Sequence, residues 1–345
     1  MGRPIPALDE ALAGSSVEPA LRELVHARFG AETVLRSSRA EVLKRRVLRF
    51  ELELGSTSER VPRTWRLVGK VYESAERGAQ AFATHRWLLE HGFRDRPAAS
   101  IPEAYAYSPE ARTLFMQEVG GESLKQLLKS ARARPQHLRR CADGLAALHG
   151  CPAAFGEAFT LDDHLERRCA GLVPALARAL PEFAPGIERI LDTARRHAPP
   201  ATTVAHGDFH PGQVHLDGER LWILDLDPLH QGDPAYDLAM VVVQLELLRL
   251  ESQRDDLRAL TAAFLERYVV HLGLEHAQRI PIHAALILLK RACKRFRYQD
   301  DPGWKATAGR QIASAAAFAA LQDEHARLGS LDELLVLATS LPTVA

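Results

Sequence analysis

The chain has 345 residues, enough for one large domain or for two lobes with substantial cores. Hydrophobic residues make up 46% and charged residues 26%, the balance of a folded globular protein rather than a disordered one. Lys plus Arg and Asp plus Glu both number 44, so no net charge draws the protein to nucleic acid or an anionic membrane.

No run approaches the ~18 apolar residues of a membrane span, and "MGRPIPALDEALAGSS" lacks the apolar core of a signal peptide. The four cysteines, Cys141, Cys151, Cys169 and Cys293, have no C-x-x-C spacing, which argues against a zinc ribbon or a disulfide framework. A reduced, cytoplasmic protein with neither nucleic-acid nor membrane partners is expected.

In "EPALRELVHARF", Leu21, Leu24, Val25 and Phe29 recur at helical spacing, ending a helical extension over about residues 1–30. In "VLRFELEL", Leu48, Phe50, Leu52 and Leu54 alternate with charged residues, which predicts a half-buried strand. "GSTSERVPR" reads as a loop and "TWRLVGKVY" as a second strand. That strand sets Val68, Lys70 and Tyr72 on one face and Trp65, Leu67 and Val71 on the other. A helix over "AERGAQAFATHRWLLEHG" ends at Gly92, and a strand from Thr113 runs into Gly120 and Gly121.

Beyond Gly121 the pattern is mostly helical, with one interruption. From His206 a turn-rich loop, "HGDFHPGQ", leads into "QVHL", an Asp-Gly turn and the strand "LWILDLD". Such a hairpin returns its end to its beginning and brings Asp208, Gln213 and Asp225 together, with Asp227 on the same face as Asp225. Carboxylates and an amide oxygen around one point suit Mg²⁺, and a carboxylate beside that metal can deprotonate a hydroxyl.

"HGDFHPGQ…ILDLD…GDPAYDLA" resembles the catalytic region of the aminoglycoside phosphotransferase and choline kinase-like small-molecule kinases. The resemblance extends loosely from about Leu48 to Ala239. It implies an α+β, two-lobed protein kinase-like fold with a small β-rich N-lobe (1–117) and a larger helical C-lobe (118–345). It further implies an ATP- and Mg²⁺-dependent kinase acting on a hydroxyl of a small molecule. Asp208 takes the role of catalytic base, Asp225 of main metal ligand, and Asp227 of secondary ligand. Gln213 stands where an Asn ligand is expected; His206 braces the loop, His210 supports it, and Asp237 anchors the segment that opens the next helix. Lys70 resembles the strand lysine on the ATP phosphates, and Gln117, Glu118 and Val119 the backbone that meets adenine.

Two departures stand out. The glutamate that should pair with Lys70 falls at Ala81, leaving Glu73, Glu76 and Glu90 as the available acids. The glycine-rich phosphate loop is missing, so phosphate contacts fall to Ser37, Ser38 or the basic turn Lys44 to Arg46. These departures, with Gln213 in place of Asn, motivate a second reading, a nucleotide-binding module or pseudokinase. A third, a metal-dependent phosphohydrolase, lacks the further ligands a two-metal site needs. Zinc on His206, His210 and His215 is disfavoured because Pro211-Gly212 breaks any helix that would align them. The basic stretch "LLKRACKRFRY" reads by default as a solvated helix face; facing a cleft, it favours an anionic acceptor.

Overall fold

The computed structural model describes residues 17–55, 61–94, 96, 98–152, 158–197, 203–299, 301–324, 330, 332–334 and 336. Residues 1–16 of the expected extension and 56–60 of the expected loop lie outside them. The described residues divide into two compact units, one within Met1–Arg96 and Ser100–Gly121, the other within Pro97–Ala99 and Glu122–Ala345.

The strands are β1 (Val34–Lys44), β2 (Val47–Gly55), β3 (Thr64–Val71), β4 (Ala99–Ser100), β5 (Ala104–Ser108), β6 (Thr113–Gln117), β7 (Glu122–Ser123), β8 (Thr203–Ala205), β9 (Val214–Asp217), β10 (Arg220–Ile223) and β11 (His230–Gly232). The principal helices are α1 (Val17–Phe29), α2 (Ala75–Leu88), α3 (Leu124–Lys129), α4 (Pro135–His149), α5 (Val173–Ala179), α6 (Ala184–Arg196), α7 (Ala235–Ser252), α8 (Asp256–Leu272), α9 (Ile280–Tyr298) and α10 (Trp304–Glu324).

The first unit is built on an antiparallel five-stranded sheet in the order β1-β2-β3-β6-β5. Its two faces follow the alternation read in β2 and β3. Leu48, Phe50, Leu52, Leu54, Leu67 and Val71 join Leu21, Leu24 and Val25 of α1 in one core. Val68 and Tyr72 face the other way, against Ala81 and Phe82 of α2. The close approach of α2 to the sheet depends on Gly78, where a Cβ would lie 2.3 Å from the Tyr107 ring. β1 carries no alternation because nearly every position along it is exposed, which is why its sequence gives no strand signal.

The second unit is mostly helical. α9 packs against α7, α6 and α10, and α4 packs against α8. Its β structure is a small four-stranded sheet, β4-β10-β9-β7, and the pair β8-β11. That pairing sets the stretch entering His206 antiparallel to the stretch entering Asp233 and α7.

Candidate active site

Asp237, in the first turn of α7, is fully buried and grips the loop that begins at His206. Its Oδ2 accepts the backbone N–H of His206 at 2.6 Å, and its Oδ1 that of Gly207 at 2.9 Å. His149 Nε2 lies 3.1 Å from Oδ2, and the Tyr268 hydroxyl lies 2.6 Å from His149 Nδ1. Burial alone would raise the Asp237 pKa. The hydrogen bond and charge of His149, with His206 and His230, outweigh it and lower the pKa from 3.8 to about 2.

Gly207 has φ +78, and a Cβ there would meet the Pro228 carbonyl oxygen at 2.6 Å, so this reversal requires glycine. His206 Nε2–H donates to the Leu224 carbonyl at 2.9 Å while Nδ1 accepts the Asp208 N–H at 3.3 Å. Both ring nitrogens are thereby used on the backbone, a bracing geometry.

Asp208 is held by that backbone with its carboxylate half-exposed. Lys290 Nζ is 3.9 Å from Oδ1, and His210 Nε2 is 3.9 Å from Oδ2. The other nitrogen of His210 accepts the Gly212 N–H at 3.0 Å and caps the turn Pro211–Gln213. Burial lowers the pKa of both His210 and Lys290, with Asp208 opposing in each case. Asp208, Asp227, Arg168 and Lys290 line one cavity of about 420 Å³.

The hairpin β9-β10 returns the chain to the loop. Leu224 N–H donates to the Gln213 carbonyl at 2.8 Å, and Gln213 Nε2 meets Asp225 Oδ2 at 3.2 Å. The expected strand "LWILDLD" is shorter than its pattern, because β10 stops at Ile223. Asp225 and Asp227 therefore lie past the strand, exposed on either side of buried Leu226. Strand alternation does not place them; Asp225 adopts a left-handed backbone, φ +59, that points its carboxylate back at Gln213.

Among the described residues no three His, Cys, Asp or Glu side chains form a metal cluster. Mg²⁺ needs no such cage, because it is held by one or two protein oxygens, with phosphate oxygens and water completing the octahedron. The Gln213–Asp225 pair fits that requirement: a half-turn of the amide presents Oε1 in place of Nε2 toward the same point.

In the first unit, Lys70 lies on β3 between Val68 and Tyr72, its Nζ 5.8 Å from the Tyr72 ring centre. Ala81 packs among apolar residues, and two of the three available acids are engaged with arginines: Glu73 with Arg46 and Arg77, and Glu90 with Arg94. The basic turn Lys44 to Arg46 links β1 to β2, with Arg45 and Arg46 at its tip. Ser37 donates across the sheet to Glu53 at 2.9 Å. Gln117 N–H donates to the Glu103 carbonyl at 2.8 Å, and Arg49 Nε to Glu118 at 2.5 Å.

Several residues of the second-unit network carry no sequence signal. His149 and Tyr268 support Asp237, and Arg279 and His283 hold Asp233 at 2.6 and 2.8 Å. Burial would raise Asp233, but His283 and Arg279 hold its carboxyl far below the usual range. Arg168 donates to the Gly207 carbonyl at 2.6 Å.

The sequence matches the family described as APH, phosphotransferase enzyme family, over residues 44–280. The chain belongs to the phosphotransferase enzyme family. The matched span runs from the β1–β2 turn to the start of α9 and includes every site residue from Lys70 to Asp237. No curated protein matches the sequence.

Solved structures show the same kinase-like fold at low identity. A choline/ethanolamine kinase family protein from Mesorhizobium loti matches with TM-score 0.53 and 17% identity, over 94% of this chain and 99% of that one. The streptomycin-ATP-APH(2")-IIa ternary complex matches with TM-score 0.52 and 16% identity, over 88% and 98%. The amicoumacin kinase hAmiN, in complex with AMP-PNP, Ca²⁺ and Ami, matches with TM-score 0.57 and 12% identity, over 90% and 96%. This phosphotransferase is thus an α+β protein with an antiparallel N-terminal sheet and a helical C-terminal part. Among its described residues no helix is long and apolar enough to cross a membrane.

Proposed function

We propose that this phosphotransferase moves the γ-phosphoryl group of ATP to a hydroxyl of a small molecule, with Asp208 as catalytic base. The observation that carries the reading is that Gln213, on the loop that holds Asp208, meets Asp225 at 3.2 Å while Asp237 clamps that loop from behind. Asp208 accepts the acceptor's proton as its oxygen bonds to γ-phosphorus; the bond to the β-phosphate oxygen breaks and ADP leaves. Gln213 and Asp225 hold Mg²⁺, with Asp227 in support, and the bound metal would offset the charge of the phosphates. Lys70 takes the nucleotide phosphates and the backbone at Gln117 to Val119 takes adenine. Such a reaction rests on positioning and electrostatics more than on covalent chemistry.

Solved relatives with bound ATP or AMP-PNP support the nucleotide class, and one of them also holds Ca²⁺. Choline, ethanolamine and aminoglycosides in the names of relatives support a small-molecule acceptor. A cytoplasmic site of action, away from nucleic acid and membranes, is part of the proposal and rests on composition.

Asp208→Asn tests the assignment. Removal of a general base costs about 10²–10⁴-fold, so transfer falls at least a hundredfold while ATP binding by calorimetry stays within about twofold. Normal turnover in the variant excludes Asp208 as base. The apolar setting of Ala81 favours, as a second reading, a nucleotide-binding module without transfer. That reading predicts ATP binding with no turnover by the native chain on any acceptor.

A further inference from the structure

We propose that the acceptor is a small anion, a hydroxy acid or a hydroxylated phosphate monoester, whose charged group is held by Arg168 and Lys290 beside Asp208. The inference rests on the phosphotransferase reading for the role of Asp208, and on the cavity itself for the charge of its occupant.

Arg167, Arg168 and Lys290 all line the cavity that Asp208 opens into. Among the described residues Arg168 has no carboxylate partner; its guanidinium donates to the Gly207 carbonyl at 2.6 Å. Among the described residues the one carboxylate within 4 Å of Lys290 is that of Asp208, at 3.9 Å, beyond hydrogen-bonding reach. Arg167 reaches Asp163 at 3.6 Å, and its side chain is largely exposed. Cations gathered around a half-buried cavity repel one another unless an anion joins them, and a guanidinium fork suits a carboxylate or phosphate.

The same geometry works against a cationic acceptor. An ammonium ion is recognised by carboxylates or by open aromatic faces. Phe159 lines the cavity with Arg168 stacked 4.4 Å from its ring centre and Arg167 at 5.5 Å. Arg168 also covers Tyr236 at 4.2 Å. The aromatic faces are already occupied by the protein's own cations. Asp208 and Asp227 are the cavity's acids, and the reading above assigns them to the proton and the metal.

Arg168 is well fixed for this role. Its contact to Gly207, the residue before Asp208, locks the guanidinium to the loop that carries the base, so an anion bound there sits at a defined distance from the reacting hydroxyl. Lys290 comes from α9, and of the cations in its basic stretch it is the one that lines the Asp208 cavity.

The test uses a matched series, glycerol 3-phosphate, D-glycerate, glycerol and choline, titrated calorimetrically into the full chain and the variants Arg168→Met, Arg168→Lys and Lys290→Met. ADP release with Mg²⁺ and ATP is followed in parallel. The two anions are expected to bind at least tenfold more tightly than glycerol, with choline weaker still. Affinity for them should fall at least fivefold in Arg168→Met and in Lys290→Met and recover partly in Arg168→Lys. The stronger of the two anions distinguishes phosphate from carboxylate. Equal or tighter binding of glycerol or choline overturns the inference, as do absent anion binding and anion affinity indifferent to both Met variants in folded protein. Anion binding without any ADP release upholds the anion site and counts against the phosphotransferase reading. Preferential transfer to choline does the reverse.

Discussion

At the scale of single residues, the site depends on a few groups whose roles differ although their chemistry is alike. Asp208, Asp225 and Asp237 are all aspartates, yet burial and partners separate them. Asp237 is buried with its oxygens saturated by two backbone N–H groups and His149, so it holds the loop. Asp208 is half-exposed, with Lys290 and His210 each 3.9 Å away, and the proposed function makes it the base. The depressed pKa of Asp237 carries a stability consequence. Its contribution is fully present above the ordinary carboxylate value of 3.8 and is lost as the pH falls toward about 2. That difference corresponds to about 2 kcal/mol. Asp237→Asn should lower stability near neutral pH and flatten the decline between pH 4 and 2, measured by urea unfolding across that range. Gly207→Ala adds a Cβ at φ +78 against the Pro228 carbonyl. A loss of about 1–3 kcal/mol in chemical denaturation is expected, with transfer activity nearly abolished.

At the scale of elements, the loop is fixed by what is packed behind it. The α7 N-terminus brings Asp233 and Asp237 together, and α9 docks on that end through Arg279 and His283. Arg279→Met would leave the buried Asp233 carboxylate to His283 and the Ala235 N–H. Because Arg279 is itself partly exposed, we expect a cost of about 2–3 kcal/mol, below that of breaking a fully buried pair, read as a shifted urea midpoint. The turn between β1 and β2 carries Arg45 and Arg46, which we propose to contact the nucleotide phosphates. Arg45→Ala with Arg46→Ala should raise the KM for ATP severalfold and leave the acceptor KM unchanged, in steady-state kinetics with each substrate varied. A change confined to the acceptor KM would remove the hairpin from nucleotide binding.

For the whole molecule, the first measurement is a calorimetric titration of ATP with and without Mg²⁺. Tighter binding with the metal is expected, and Gln213→Leu should erase the difference while metal-free affinity stays the same. Binding that ignores Mg²⁺ in the native chain would mean that the extra methylene of Gln213 has disabled the metal site. The sequence by itself determined the fold class and the family, and its hairpin predicted the meeting of Gln213 with Asp225. Gln213 and Asp225 flank the short hairpin β9-β10, where turn chemistry and chain connectivity leave few alternatives. The faces of β2 and β3 were legible for the same reason, since alternation is a local property. Only the tertiary structure decided which distant residues complete the site. Tyr268 lies 119 positions from His149, which itself lies 88 from Asp237, and Lys290 reaches Asp208 from another helix. Contacts of that span depend on which helix face packs inward, and a basic stretch on a helix looks the same in sequence whether it meets solvent or a cavity. Asp225 needed the structure too: a left-handed backbone, not the alternation of a strand, turns it toward Gln213.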